Sequence, residues 1–143
     1  MILARTRTAY AAATTMLLLA LLALFRPLFT AQLIGLDVIG GHGLNEIRAT
    51  YGGLVVTLAV VALWALLNRS RSAPYLRLAG LLWLGAALGR MFSLLIDGPL
   101  LPVTFVGLGL ELFIGLPLFL ASFDKPEAAP GRDVPNPLSA YRS

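Results

Sequence analysis

The sequence is organised as four long apolar stretches separated by short polar segments. The stretches cover about residues 9–29, 47–67, 75–96 and 103–123. Each has about twenty residues, and a helix of that length measures roughly 30 Å, the thickness of the hydrocarbon core of a bilayer. None shows the alternation of polar and apolar residues that is typical of membrane-spanning strands. The pattern predicts an all-α integral membrane protein, a bundle of four transmembrane helices with short loops.

The connecting segments predict the domain organisation. Residues 68–74 (NRSRSAP) and 97–102 (DGPLLP) are typical of tight turns. The longer connection, residues 30–45, predicts a short amphipathic piece over residues 33–39. We expect a transmembrane domain at residues 1–123 and a proline-rich cytoplasmic tail at residues 124–143, whose composition favours disorder. The first stretch is longer than a signal-peptide core and lacks a small-x-small cleavage pattern, so we expect it to remain as a span.

Composition and charge support a membrane location. Hydrophobic residues make up 58% of the chain and charged residues 13%, about half the charged share of a soluble domain. The net charge is +4, but no basic run interleaves with aromatic residues, so nucleic-acid binding is not expected. Because positively charged loops favour the cytoplasmic side, the distribution predicts that both termini are cytoplasmic. The basic residues on that side are Arg5, Arg7, Arg69, Arg71, Arg77, Lys125, Arg132 and Arg142, against Arg26, Arg48 and Arg90 toward the other.

Two opposite charges occur at similar depth in adjacent spans. Arg90 lies seven positions before Asp97, and Glu111 lies eight positions after Val103. Each is therefore roughly 10–12 Å below the outer end of its helix. Charges are costly inside a bilayer, and an arginine–carboxylate pair allows both to remain charged. We expect Arg90 and Glu111 to meet.

Helical spacing extends this polar cluster. Each span places its polar or small residues on one face, at steps of three or four. Arg48 points away from Glu46 and is predicted to reach the interface or pair with Asp37. The predicted faces are Glu46, Thr50, Gly53 and Thr57 on the second span, Trp83, Ala86, Arg90, Ser93 and Asp97 on the third, and Gly107, Glu111 and Gly115 on the fourth.

The cluster has two interpretations. In one it is a structural staple, in which Arg90 and Glu111 pin two helices together. In the other it is a binding site, in which Arg90 holds an anionic or polar group and Glu111 or Glu46 accepts a proton. The sequence predicts no metal site, because His42 is the only histidine and there is no cysteine. It predicts no cofactor and no catalytic triad.

Gly85 and Gly89 form a GxxxG pattern on the third span. Such a pattern allows helix backbones to approach closely in lipid. We expect it to pack within the bundle, and the alternative is a contact with a second copy or with a larger membrane complex.

Three stretches carry a family resemblance: NEIRATYGGL (residues 45–54), ALGRMFSLLIDGP (residues 87–99) and LGLELFIG (residues 108–115). Together they resemble a family of small bacterial membrane proteins known as domain of unknown function 4345, over about residues 10–123. The resemblance implies a bacterial membrane protein with four helices, and it implies no activity. With the charge distribution, we expect a multi-pass protein of the bacterial inner membrane. Its marks fall on the candidate site residues, namely Glu46, Arg48, Tyr51, Arg90, Ser93, Asp97 and Glu111.

Three classes of function follow. The first is a non-enzymatic membrane module: an accessory or interaction subunit, or a protein that contacts lipid or quinone. The second is a small proton-coupled transporter that uses Glu111 and Arg90, although no inverted repeat is apparent. The third is a membrane enzyme acting on a lipid-soluble substrate, with a carboxylate as general acid–base. Because the sequence offers no nucleophile or metal site, we expect the first class, with the bilayer as its immediate partner.

Overall fold

The computed structural model describes residues 2–68, 72–96 and 102–124, and within these ranges every regular element is a helix. Four helical stretches are long and apolar enough to cross a bilayer: Ala4–Phe25, Gly40–Leu67, Ala73–Ile96 and Pro102–Ala121. The predicted all-α bundle of four membrane-length helices is confirmed. The predicted tail lies outside the described residues apart from Asp124. The elements are α1 (Ile2–Phe25), α2 (Pro27–Leu33), α3 (Gly40–Glu46), a π-helical segment (Ile47–Leu54), α4 (Val55–Leu67), α5 (Ala73–Ile96) and α6 (Pro102–Ala121).

The first span ends at Phe25, earlier than the apolar pattern predicts, because of Pro27. A proline has no backbone N–H and disfavours helical geometry in the residue before it. Arg26 accordingly leaves the helical conformation, with φ −130° and ψ 56°. Proline is tolerated in the first turn of a helix, so α2 begins at Pro27 itself. The chain therefore changes direction at Arg26 without leaving helical structure for more than one residue.

The short helix α2 ends in a Schellman motif. Gly35 has φ +77°, the Leu36 N–H donates to Ala31 O at 2.8 Å, and the Gly35 N–H donates to Gln32 O at 3.2 Å. Glycine adopts this left-handed conformation without steric cost. The predicted amphipathic piece over residues 33–39 is wrong, because Gly35 stops the helix where that piece was expected to begin.

Small residues make up much of the core, and most of the large apolar side chains face outward. Along α1 the fully buried positions recur every three or four residues, and almost all are alanine, whereas Leu18 and Phe25 are mostly exposed. In lipid, large apolar side chains gain nothing by moving inside, while small residues let helices approach closely. Large buried side chains such as Met16, Leu76, Ile114 and Leu118 fill the remaining space. The buried alanines are Ala9, Ala12, Ala13, Ala20 and Ala23 on α1, Ala31 on α2, Ala59, Ala62 and Ala65 on α4, Ala79 and Ala87 on α5, and Ala121 on α6.

Helix α1 packs against α4, the π-helical segment and α6, and α5 packs most extensively against α6. Helices α5 and α6 approach closely at Gly80, where an added β-carbon would lie 2.6 Å from the backbone nitrogen of Phe119. The expectation that Gly85 and Gly89 pack within the bundle is wrong. A β-carbon at either position meets no atom within 4 Å, because both lie on exposed parts of α5.

The end of the bundle where α1 begins, which we call the terminal end, is tied together by polar and aromatic contacts. The Tyr10 hydroxyl donates to Leu66 O at 2.9 Å, and the rings of Trp64 and Tyr75 meet edge to face at 5.4 Å. Arg5 and Asp124 form an ion pair at 3.7 Å. The first contact joins α1 to α4, the second joins α4 to α5, and the ion pair joins α1 to the end of α6. We call the opposite end of the bundle the groove end.

Candidate functional site

Arg90 of α5 and Glu111 of α6 form a multiply bonded ion pair. The Arg90 Nε–H donates to both carboxylate oxygens at 3.1 Å, and Nη2 donates to Oε1 at 2.7 Å. Arg90 lies six residues before the end of α5, roughly 9 Å along the helix. Charge-assisted bonds of this kind are the strongest that side chains form. The pair is therefore a rigid polar feature within the depth of the spans.

The two partners differ in exposure. The Glu111 side chain is 8% exposed and the Arg90 side chain is 36% exposed. The three bonds between Arg90 and Glu111 use Nε and Nη2, so they leave Nη1 and one Nη2 hydrogen outside the pair. The carboxylate is thus the buried half of the pair, and the guanidinium has donors that the pair does not use.

Gly107 makes room for this arrangement. It lies one turn before Glu111 on α6, and a β-carbon there would be 2.8 Å from Arg90 Cζ and 3.1 Å from its Nη1. Any larger residue at this position would push the guanidinium aside. In the small–polar–small face predicted on the fourth span, the first small residue, Gly107, thus leaves space for the guanidinium of Arg90. At the third position of this face, Gly115 lies against Gly80 O and Leu84.

Arg90 and Glu111 lie on the wall of a groove with a volume of about 720 Å³. This groove lies between α5 on one side and α4 with the π-helical segment on the other. The ring contact of Trp64 with Tyr75, which joins α4 to α5, lies at the terminal end, and the groove lies beyond it. Its volume falls within the range typical of small-molecule sites. Its walls are mostly apolar. The lining residues are Thr50, Tyr51, Leu54, Val55, Leu58, Leu82, Trp83, Ala86, Gly89, Arg90, Ser93, Thr104 and Glu111.

The π-helical segment determines which residues face the groove. The wider turn of a π-helix changes the spacing of residues on one face, and such segments are frequent at functional sites. Of the predicted face Glu46, Thr50, Gly53 and Thr57, only Thr50 lines the groove, and Tyr51, Leu54 and Leu58 join it instead. The Thr57 hydroxyl donates to Gly53 O at 3.0 Å, which stabilises the return from π to α geometry. The predicted face was wrong because it assumed 3.6 residues per turn.

Two predicted site residues lie away from the groove. Glu46 is exposed at the end of α3 and does not line it, so it is not placed to accept a proton there. Arg48 is also exposed, and its Nε–H donates to Leu24 O at 3.3 Å near the end of α1. In the described part of the chain it forms no ion pair with Asp37. The carbonyl of Leu24 belongs to the last turn of α1, whose carbonyls lack partners within the helix, and Arg48 satisfies it.

The other predicted site residues divide into two groups. Tyr51 and Ser93 line the groove together with Arg90 and Glu111. Asp97 lies outside the described residues, so its predicted place in the cluster stays a prediction. Trp83 also lines the groove, and its indole N–H donates to Met16 Sδ at 2.8 Å. Its ring therefore forms part of the wall, while its donor is used inside the protein.

Thr104 is a groove residue that the sequence analysis missed. It is 6% exposed and lies seven residues before Glu111, two turns along the same face of α6. That spacing was visible in the sequence and could have identified it. The groove also contains no grouping suited to a metal: in the described ranges, no three His, Cys, Asp or Glu side chains lie close enough to share an ion. The arrangement can offer hydrogen bonds from a cationic group to a molecule whose remaining surface is apolar.

These features define a multi-pass helical membrane protein with a polar-floored groove within the depth of its spans. The chain belongs to the family described as domain of unknown function DUF4345, whose profile matches residues 6–122. The predicted family resemblance is thereby confirmed. Neither a curated protein nor a solved structure matches the chain.

Proposed function

We propose that this protein is a non-enzymatic membrane protein that binds a lipid-soluble small molecule in the groove between α4 and α5. The observation that carries the proposal is the position of Arg90, which lines a largely apolar groove of about 720 Å³ and has guanidinium donors that the bonds to Glu111 do not use. A structural staple alone requires neither a groove nor donors beyond the ion pair. Sites for small molecules combine apolar walls with a few placed polar groups, as this one does.

The groove is suited to entry from the bilayer. It separates two membrane-length helices, and its walls carry exposed apolar side chains such as Leu54 and Leu82. A ligand dissolved in the lipid phase reaches such a site without crossing water. An accessory or carrier role in a larger membrane assembly is compatible with this mode of binding.

The geometry favours binding over proton-coupled transport or catalysis. The Glu111 side chain is 8% exposed, and both of its oxygens accept bonds from Arg90. A proton carrier or a general acid–base needs a carboxyl group that a substrate or water can reach. We therefore assign Glu111 the task of holding Arg90 in position.

We further propose that the terminal end of the bundle faces the cytoplasm of a bacterial cell. The support is the concentration of basic residues there, which includes Arg5, Arg7 and Arg77 among the described residues. The groove then opens in the outer half of the inner membrane.

A matched pair of substitutions on α5 tests ligand binding. Gly89 lines the groove and Gly85 does not, and a β-carbon at either position meets no atom within 4 Å. Gly89→Leu fills the groove, whereas Gly85→Leu adds the same side chain outside it. Native mass spectrometry of protein extracted from membranes should find a small bound molecule on the wild type and on Gly85→Leu, and not on Gly89→Leu. Equal occupancy of all three proteins, or none on the wild type, would overturn the proposal.

A further inference from the structure

We infer that the ligand of this groove has an uncharged head group that accepts hydrogen bonds, such as the carbonyl of a quinone, ketone or ester. This inference rests on the function proposed above and narrows it to one chemical class. Three features of the groove support it: the net charge of the ion pair is zero, the guanidinium of Arg90 can only donate hydrogen bonds, and the walls are mostly apolar.

The charge balance disfavours an ionic ligand. Arg90 and Glu111 carry opposite charges and bond each other through three contacts of 2.7–3.1 Å, so the polar floor is neutral as a unit. An anionic head group beside Arg90 would add a negative charge without a compensating partner, at a depth where that is costly. A cationic head group would need Glu111, whose side chain is only 8% exposed and lies behind Arg90 as its partner.

The cationic group that borders the groove can only donate hydrogen bonds, whereas the hydroxyls of the lining residues can donate or accept. The Arg90 Nη1 group and one Nη2 hydrogen are outside the bonds to Glu111, and a guanidinium can only donate. The Tyr51 hydroxyl lies on the facing wall. A carbonyl oxygen accepts two hydrogen bonds and carries no charge, so it satisfies these donors without disturbing the ion pair.

The walls require that the rest of the molecule be apolar. Leu54, Leu58 and Leu82 border the groove, and the indole N–H of Trp83 is turned away toward Met16 Sδ. Trp83 therefore offers a ring face rather than a polar group, a surface suited to a planar or hydrocarbon portion. The combination describes a molecule with one polar carbonyl end and a hydrophobic body.

Competition between head groups tests the inference. The protein carries Trp64→Phe, so that Trp83 is its single tryptophan, and is placed in lipid nanodiscs. Decylbenzoquinone, whose ring quenches tryptophan emission, is displaced by twelve-carbon chains that end in a ketone, a sulfonate or a trimethylammonium group. We expect the ketone to compete at least about tenfold better than either ion and than plain dodecane, the ratio that one hydrogen bond to a charged donor provides.

A double substitution isolates the contribution of Arg90 without leaving a charge buried. Arg90→Met with Glu111→Leu removes both partners, so that the variant keeps the groove but has no charged floor. We expect the preference for ketone over dodecane to fall severalfold in this variant, to the smaller preference that the Tyr51 hydroxyl alone provides, while quinone quenching stays saturable. If the preference for ketone over dodecane were unchanged, Arg90 would not be the group that recognises the head group.

The outcomes separate this inference from the proposed function. Saturable quenching with a sulfonate or ammonium chain as the best competitor would reject the neutral carbonyl and leave the binding groove in place. Quenching that rises linearly with quinone in wild type and in Gly89→Leu alike would mean simple partition into lipid, and both proposals would then fall.

Discussion

The guanidinium of Arg90 lies across Gly107, so that a β-carbon added at Gly107 would be 2.8 Å from Arg90 Cζ. Two helices thus cooperate in one feature: α6 supplies both the carboxylate that bonds the guanidinium and the space into which it fits. Gly107 lies one helical turn before Glu111. The guanidinium needs both the carboxylate as its partner and the space that the glycine leaves.

Gly107→Ala should displace Arg90 and weaken the ion pair. We expect a loss of unfolding free energy of about 1–2 kcal/mol, the usual cost of adding a methyl group where there is no space. Gly109→Ala is the matched control on the same helix, because a β-carbon there meets nothing within 4 Å. The measurement is reversible unfolding in mixed micelles followed by circular dichroism. Equal stability of the two variants would show that the guanidinium adapts freely.

Removing one partner of the ion pair should cost more than removing both. Arg90→Met leaves the buried Glu111 carboxylate without its partner, and we expect a loss of about 2–3 kcal/mol, toward the lower end for buried pairs because Arg90 is partly exposed. Glu111→Leu should cost less, since Arg90 faces the groove. The double variant should be more stable than the sum of the two losses implies, and strict additivity in the double-mutant cycle would contradict the pairing.

Gly80→Ala should separate α5 from α6. Its β-carbon would lie 2.6 Å from the nitrogen of Phe119, a backbone atom that cannot move without the helix. We expect a loss of about 2–3 kcal/mol in the same unfolding assay, in the range of overpacked cores. Gly85→Ala is the control, and it should be neutral or slightly stabilising because alanine favours helix more than glycine does. If Gly85→Ala proved the more damaging change, a contact with another chain at Gly85 would be the explanation.

Gly52→Ala should disturb the π-helical segment. A β-carbon at Gly52 would be 2.7 Å from Leu24 Cγ and Cδ2 and 3.3 Å from the backbone nitrogen of Leu24, so the segment must move away from α1. We expect a stability loss of about 1–2 kcal/mol and weaker quinone binding, because Tyr51 moves with the segment. Gly53→Ala, whose nearest neighbour is Arg48 O at 3.7 Å, should change neither quantity by a comparable amount.

Reporter fusions test the proposed orientation. A fusion after Ser143 should report a cytoplasmic location, and an insertion at Asp37, in the exposed connection between α2 and α3, should report the opposite side. The same compartment for both positions would contradict the orientation. Replacing Arg5 and Arg7 with glutamine should increase the fraction of inverted molecules, since these residues contribute to the charge bias.

Much of the architecture was predictable because it depends on length and composition. A run of about twenty apolar residues spans a bilayer as a helix whatever its neighbours are, so the four spans follow from the sequence. Arg90 and Glu111 were predictable for a related reason, since adjacent helices joined by a short connection run antiparallel and bring equal depths together. The end of α1 at Phe25 could also have been placed, because Pro27 has a purely local effect.

The groove was not predictable in the same way. The wrong face on the second span came from applying one helical period across Glu46, Thr50, Gly53 and Thr57, while the π-helical segment changes that period. The error over Gly85 and Gly89 arose because a small-residue pattern does not say which helix comes near it. In the structure, the glycine of α5 that packs against α6 is Gly80.

The sequence by itself determined the number of spans, their lengths and the charges that must find partners, because these depend on transfer into lipid and on local backbone chemistry. Tertiary structure decided which helix faces touch, where α4 and α5 separate, and which half of the Arg90–Glu111 pair meets the groove. Those properties depend on contacts between residues distant in the chain, and no local pattern specifies them.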